Sequence, residues 1–194
     1  AQQLLGLLDH LQIDTAAVVG FSIGGMINRR FALDFPNRLS ALAILNSPHD
    51  RGDEAQALVE ERAVAVRSDG AMATMEAALQ RWFTDDFRTS NPDFMETVRQ
   101  WRRQVDPQSY AEAAWVLATG VKELTRPATL VRVPTIVITS ENDSGSTPDM
   151  AATIAAEIDQ AAICIVPELK HLGLIEQPQS FTLPVIDFFR KLAL

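Results

Sequence analysis

Three side chains in this sequence have the chemistry to move an acyl group together: a serine, an imidazole and a carboxylate. Ser22 lies in Gly20-Phe21-Ser22-Ile23-Gly24, a G-x-S-x-G pentapeptide. A serine hydroxyl is a weak nucleophile at neutral pH, so it needs a base within hydrogen-bond reach and a third group to orient that base. His171, which ends the loop Pro167-Glu168-Leu169-Lys170-His171, can be the base. The polar turn Ser140-Glu141-Asn142-Asp143-Ser144-Gly145 offers two carboxylates for the third role, and Asp143 is preferred to Glu141 because it lies deeper in the turn. A serine at the start of a helix could instead be a plain N-cap. The nucleophile reading also uses the helix start, because the Ile23 N–H and the helix dipole can stabilise a developing oxyanion.

Short strands must hold these groups. Ala16-Ala17-Val18-Val19 is an apolar run typical of a strand buried on both faces, and Gly20 to Phe35 continues as a turn and a helix with Met26, Ile27 and Phe31 in period. Further strands are expected at Ala41–Leu45, Thr135–Thr139 and Ala162–Val166. Thr147-Pro148-Asp149 reads as N-cap, N1 proline and first-turn acid of a helix over Met150–Ile158. Ahead of all of these, Leu4, Leu7, Leu8 and Leu11 mark a helix with one buried face. Strands alternating with helices predict a parallel α/β sheet, with ligands bound at the carboxyl ends of its strands.

Residues 49–130 lack strand-like alternation and are rich in Ala, Met, Glu, Gln and Arg, so a helical cap inserted into the α/β unit is expected. Ser68-Asp69-Gly70, Ser90-Asn91-Pro92 and Asp106-Pro107 punctuate it. It holds Trp82, Trp101 and Trp115 with Phe83, Phe87 and Phe94. Most of these should form its own small core, and at least one should face Ser22 and roof an apolar pocket. A pocket faced instead by Arg81 or Arg102 would suit charged diacid lactones. His10 reads as a partly exposed helix residue, and His49 as a loop residue near the hinge of the insertion, with a substrate contact as its alternative.

Composition narrows the partners. The 194 residues carry a formal net charge of −8, which opposes long-range attraction to nucleic acid or anionic lipid. Every apolar run is interrupted well before the ~18 residues that would suggest a membrane span. The single cysteine, Cys164, permits no internal disulfide and reads as a small buried hydrophobe. A cytoplasmic enzyme with a small-molecule substrate fits this composition.

The run Leu7-Leu8-Asp9-His10-Leu11-Gln12-Ile13-Asp14, the segment Val18 to Met26, Glu141-Asn142-Asp143 with Thr147-Pro148, and His171-Leu172 with Glu176-Gln177-Pro178 give the chain a family likeness. It resembles the capped α/β-hydrolase family, with a pattern most like the group of 3-oxoadipate enol-lactonases, carboxylesterases and cofactor-free haloperoxidases. The resemblance implies the C-terminal part of an α/β-hydrolase fold, with 1–48 and 131–194 as the core and 49–130 as the cap. It implies a nucleophile, acid and base at Ser22, Asp143 and His171, which follow the family's chain order. It implies hydrolysis of an ester or lactone with no metal or organic cofactor. Phe21, Trp115 and Leu172 are the expected substrate contacts. Perhydrolase or haloperoxidase-like chemistry on the same triad, or a non-catalytic ligand-binding member or inactive fragment, are the alternatives.

Two departures from the family pattern carry weight. Its first strands and its His-Gly-type oxyanion loop have no counterpart here, so a missing N-terminal segment is expected to pair with the strand at 16–19. Leu172 replaces the Trp common in related C–C bond hydrolases, which points away from that chemistry. Ser22 itself argues against relatives that use Asp as nucleophile.

Overall fold

The computed structural model describes residues 1–128 and 131–193. Helix α1 (Gln2–His10) leads into β1 (Ala16–Phe21), and α2 (Ile23–Asp34) links this strand to β2 (Leu39–Leu45). A long helical segment follows, with α3 (Asp53–Asp69), α4 (Met75–Trp82), α5 (Asp85–Ser90), α6 (Pro92–Gln104) and α7 (Pro107–Thr119). The chain then forms β3 (Thr135–Ser140), α8 (Pro148–Ala156), β4 (Ala162–Val166), α9 (Gly173–Glu176) and α10 (Pro178–Lys191). All strand pairs are parallel, and the spatial order is β1-β2-β3-β4.

The alternation of the central strands explains how both faces are covered. Leu42 and Ile44 point to one face and join Val137, Phe31 and Ile154, which brings α2 and α8 against the sheet. Ala43 and Leu45 point to the other and join Ile136, Ile138, Phe181 and Val185, which seats α10 there. The helical segment has its own core of Met75, Leu79, Phe83, Met95 and Val98. Turn chemistry expected from the sequence is present at two helix starts: Thr147 Oγ1 accepts from the Met150 N–H at 3.3 Å and Asp106 Oδ1 from the Ser109 N–H at 2.8 Å.

Three expectations about burial need correction. In α1 the buried side is formed by Leu4, Leu5 and Leu8, while Leu7 and Leu11 are exposed, so the stripe is rotated from the expected one. Both outer strands are less covered than their apolar sequences suggest. Val19 of β1 is 51% exposed, because α10 covers that face only around β3 and β4. Ile163 and Ile165 of β4 are also exposed, since β4 is the opposite edge of the described sheet. Among the described residues, no helix is long and apolar enough to cross a membrane.

The glycines around Ser22 divide the work differently from the expected pattern. A Cβ on Gly20 would lie 2.4 Å from the Gly24 carbonyl oxygen, and one on Gly25 would lie 2.5 Å from the Ser47 Cβ. Gly24, the second glycine of the pentapeptide, has open space around it. The close approach of α2 to the sheet therefore depends on Gly20 and Gly25. Gly25→Ala should lose about 1–3 kcal/mol through overpacking, whereas Gly24→Ala should be neutral or gain up to ~1 kcal/mol of helix propensity. Urea unfolding of both variants checks this, and equal destabilisation would contradict the assignment.

Candidate active site

The site begins at the turn between β1 and α2. Ser22 has φ 54°, a left-handed conformation that is strained for a residue with a Cβ. Its N–H donates to the Leu45 carbonyl at 2.8 Å, which anchors the turn to the end of β2. The Ser22 side chain makes no capping hydrogen bond to α2, so the plain N-cap role is not the one it plays. Its Oγ instead lies 3.1 Å from His171 Nε2. Ile23 is the first residue of α2, where backbone N–H groups have no intrahelical acceptor.

His171 is held by the loop after β4, and its Nδ1 lies 2.6 Å from Asp143 Oδ2. A carboxylate only accepts hydrogen bonds, so Nδ1 carries the proton and Nε2 is left to accept from the Ser22 hydroxyl. Asp143 is almost wholly buried. Its Oδ1 accepts from the Gly145 and Ser146 N–H groups at 2.8 and 3.0 Å, and its Oδ2 also accepts from Asn46 Nδ2 at 2.9 Å. Burial by itself raises the Asp143 pKa, but the hydrogen bonds from His171, Asn46 and Gly145 outweigh it and hold the carboxyl below its ordinary range. Glu141 stays exposed and accepts the Glu168 N–H at 2.8 Å, bracing the loop that carries His171.

Ser22, Asp143 and His171 open onto a cavity of about 210 Å³ that the helical segment roofs. Its wall includes Arg51, Arg62, Arg81 and Arg102, with Trp82 and Tyr110 beside them. Arg102 is 7% exposed and lies against the Trp82 and Tyr110 rings, its Cζ 5.6 and 4.5 Å from their centroids. Burial lowers its pKa. Burial, with neighbouring Arg62, lowers that of Arg51 to about 10.

The alpha/beta hydrolase fold family model matches residues 1–178. The chain belongs to the α/β-hydrolase family. Among its relatives, the 3-oxoadipate enol-lactonase 2 of Acinetobacter baylyi is 30% identical over 178 residues, which are 92% of this chain and 65% of that protein. The chain thus spans just under two thirds of that relative's length. The solved enol-lactonase of Burkholderia xenovorans superimposes with a TM-score of 0.84 at 28% identity, covering 97% of this chain and 70% of that one. A thermophilic esterase of Thermogutta terrifontis, solved with malate bound, gives a TM-score of 0.81 at 27% identity over 97% of this chain and 70% of its own.

Within this hydrolase fold the residues read from the sequence fall into two sets. Ser22, Asp143 and His171 come together, with the Ile23 N–H beside Ser22. Phe21, Trp115 and Leu172 do not line the cavity. The Phe21 ring packs 5.0 Å from the His171 ring, Trp115 lies under Arg67, and Leu172 packs on the helical core while its N–H donates to the Trp82 carbonyl. Trp82 is the aromatic residue that reaches the cavity from α4, whereas Phe83, Phe87 and Phe94 stack among themselves. The wall therefore combines the expected apolar surface, from Trp82, Val59, Val66 and Leu117, with four arginines. His49 is buried, bonded through Nε2 to the Glu157 carboxylate at 3.1 Å, and its pKa is lowered by desolvation. Cys164 is half-buried, with its pKa raised by desolvation. Asn46 escaped the sequence reading, because one asparagine after an apolar strand looks like any turn residue. Its φ of 44° is the only local trace of its placement.

The Asp143 contacts predict a pH signature. Its lowered folded pKa contributes stability that is fully present above the unfolded carboxylate range and is lost as pH falls through the folded value. Asn46→Ala removes one donor, so the variant should lose about 1.5–3 kcal/mol at neutral pH. Its Asp143 pKa should move up toward the unfolded value, leaving less stability to lose on acidification. Urea midpoints from pH 3 to 7 test this, and parallel curves for the two proteins would count against it.

Proposed function

We propose that this protein hydrolyses a carboxylic ester or lactone through an acyl-enzyme on Ser22. The observation that carries the reading is the continuous hydrogen-bonded chain from Ser22 Oγ through His171 to Asp143. His171 Nε2 takes the hydroxyl proton as Oγ adds to the substrate carbonyl, and Asp143 holds the imidazole and stabilises its cation. The Ile23 N–H, at the positive end of α2, stabilises the oxyanion of the tetrahedral intermediate. His171 then returns the proton to the departing alkoxide or enolate, which leaves the acyl group on Ser22. Water adds to that ester in the second half, with the same imidazole accepting and returning a proton, and the free acid departs.

The named activities of the relatives support this bond class, since two are enol-lactonases and one an esterase. Residues 49–130 serve as the cap over the site, because Arg51, Arg62, Arg81 and Arg102 reach the cavity from that segment. We also infer that the outer edge of β1, which has no strand partner among the described residues, is paired by a further strand.

A fluorophosphonate should label Ser22 stoichiometrically, and His171→Ala should slow that labelling by at least 100-fold. Mass spectrometry of the labelled peptide decides the point, and labelling at another residue or at an undiminished rate would overturn the proposal.

A further inference from the structure

We propose that the cavity takes a substrate that carries two carboxylates in addition to the ester or lactone group presented to Ser22. This rests on the hydrolase reading above and names the substrate class for that site. Four guanidinium groups from separate places in the chain converge on the cavity wall: Arg51 before α3, Arg62 on α3, Arg81 on α4 and Arg102 on α6. They are close enough to repel one another, since Arg62 depresses the pKa of Arg51, and Arg62 and Arg102 depress that of Arg81.

Most arginines outside the cavity are treated differently, one exception being buried Arg29, which donates to the Pro48 and Leu124 carbonyls. Arg30, Arg38, Arg67, Arg88, Arg99 and Arg103 each pair with an Asp or Glu. None of the four cavity arginines has a carboxylate within ion-pair distance among the described residues. What holds them is neutral. Arg51 donates to Gln56 Oε1 and the Leu117 carbonyl, Arg81 to the Ala77 carbonyl, and Arg102 to Thr74 Oγ1 and Met75 Sδ. Arg102 Nε is buried with no partner at all.

A guanidinium removed from water without a counter-ion is costly, and burial lowers the pKa of Arg51, Arg81 and Arg102. An anionic ligand offsets that cost, and the count indicates how much anion. One carboxylate has two oxygens and engages one guanidinium fork bidentately, or at most bridges two. Four converging guanidiniums therefore match two carboxylates. Among the described residues the only carboxylate in the cavity wall, Asp143, has its oxygens committed to His171, Asn46, Gly145 and Ser146. At about 210 Å³ the cavity lies below the roughly 300–1,000 Å³ typical of drug-sized ligands, so the substrate is a small, highly charged acid rather than a long acyl chain.

Calorimetry with succinate, monomethyl succinate and acetate tests the anion site without any turnover. Succinate should bind at least 10-fold more tightly than either monoanion, and rising salt should erode the difference. Arg102→Gln and Arg62→Gln should each weaken succinate at least 10-fold. Arg62 is only half-buried, so that variant remains informative if Arg102→Gln fails to fold. In parallel, kcat/KM should rise at least 10-fold per carboxylate from p-nitrophenyl butyrate to p-nitrophenyl hemisuccinate to the mono-p-nitrophenyl ester of tricarballylate, mainly through KM. Equal binding of mono- and dicarboxylates, or full affinity in a folded Arg62→Gln variant, would overturn the inference. Succinate binding as expected with none of the three esters hydrolysed would uphold the anion site and sink the acyl-enzyme reading instead.

Discussion

The arrangement of the site depends on one buried carboxylate. Asp143 accepts from His171, Asn46 and two backbone N–H groups, so the loops after β2, β3 and β4 meet on a single side chain. The parallel sheet makes this possible, because it brings the carboxyl ends of all four strands to one edge. Ser22 follows β1, Asn46 follows β2, Asp143 follows β3 and His171 follows β4, in the same order as the strands lie in space. A hydrogen-bonded chain can then cross the sheet edge from acid to base to hydroxyl. Buried and satisfied in this way, the carboxylate stays charged where desolvation alone would favour the neutral acid.

Strain at Ser22 is the second constraint, and packing at both ends of the turn sustains it. A non-glycine residue at positive φ costs on the order of 1–3 kcal/mol and persists only where its surroundings impose it. Here the Ser22 N–H is tied to Leu45, Gly20 lets the Gly24 carbonyl approach, and Gly25 lets α2 lie against Ser47. The consequence is a hydroxyl directed at the imidazole instead of at the helix it precedes.

Charge is distributed against the average of the molecule. The chain is acidic overall, yet the wall above Ser22 carries four arginines among apolar side chains. On the outer surface of the helical segment arginines alternate with glutamates, as in Arg99 with Glu76 and Arg103 with Glu96, and exposed pairs of this kind contribute little stability. Inside, Arg102 lies against aromatic rings, and Arg51, Arg81 and Arg102 donate to neutral acceptors. A concave, low-dielectric wall strengthens their field at the site while the bulk charge keeps the surface negative.

The sequence by itself determined the α/β class, the strand-turn-helix context of Ser22, and the positions of Asp143 and His171. These follow from local signals: β-branched runs, capping residues, and a pentapeptide whose glycines and serine are adjacent in the chain. It also pointed to helices between β2 and β3, where α3 to α7 lie, and named Arg81 and Arg102 as residues that would alter the substrate class if they faced the pocket. Whether they did so was a tertiary matter, because the direction of an arginine on an amphipathic helix depends on what packs against the opposite face. The same holds for Asn46, 97 residues from Asp143 in sequence, and for the aromatic residues, of which Trp82 alone among those considered reaches the cavity. Local periodicity reports which side chains prefer burial. Which buried surface they join, and whether an outer strand such as β1 is covered, is set by contacts between segments far apart in the chain.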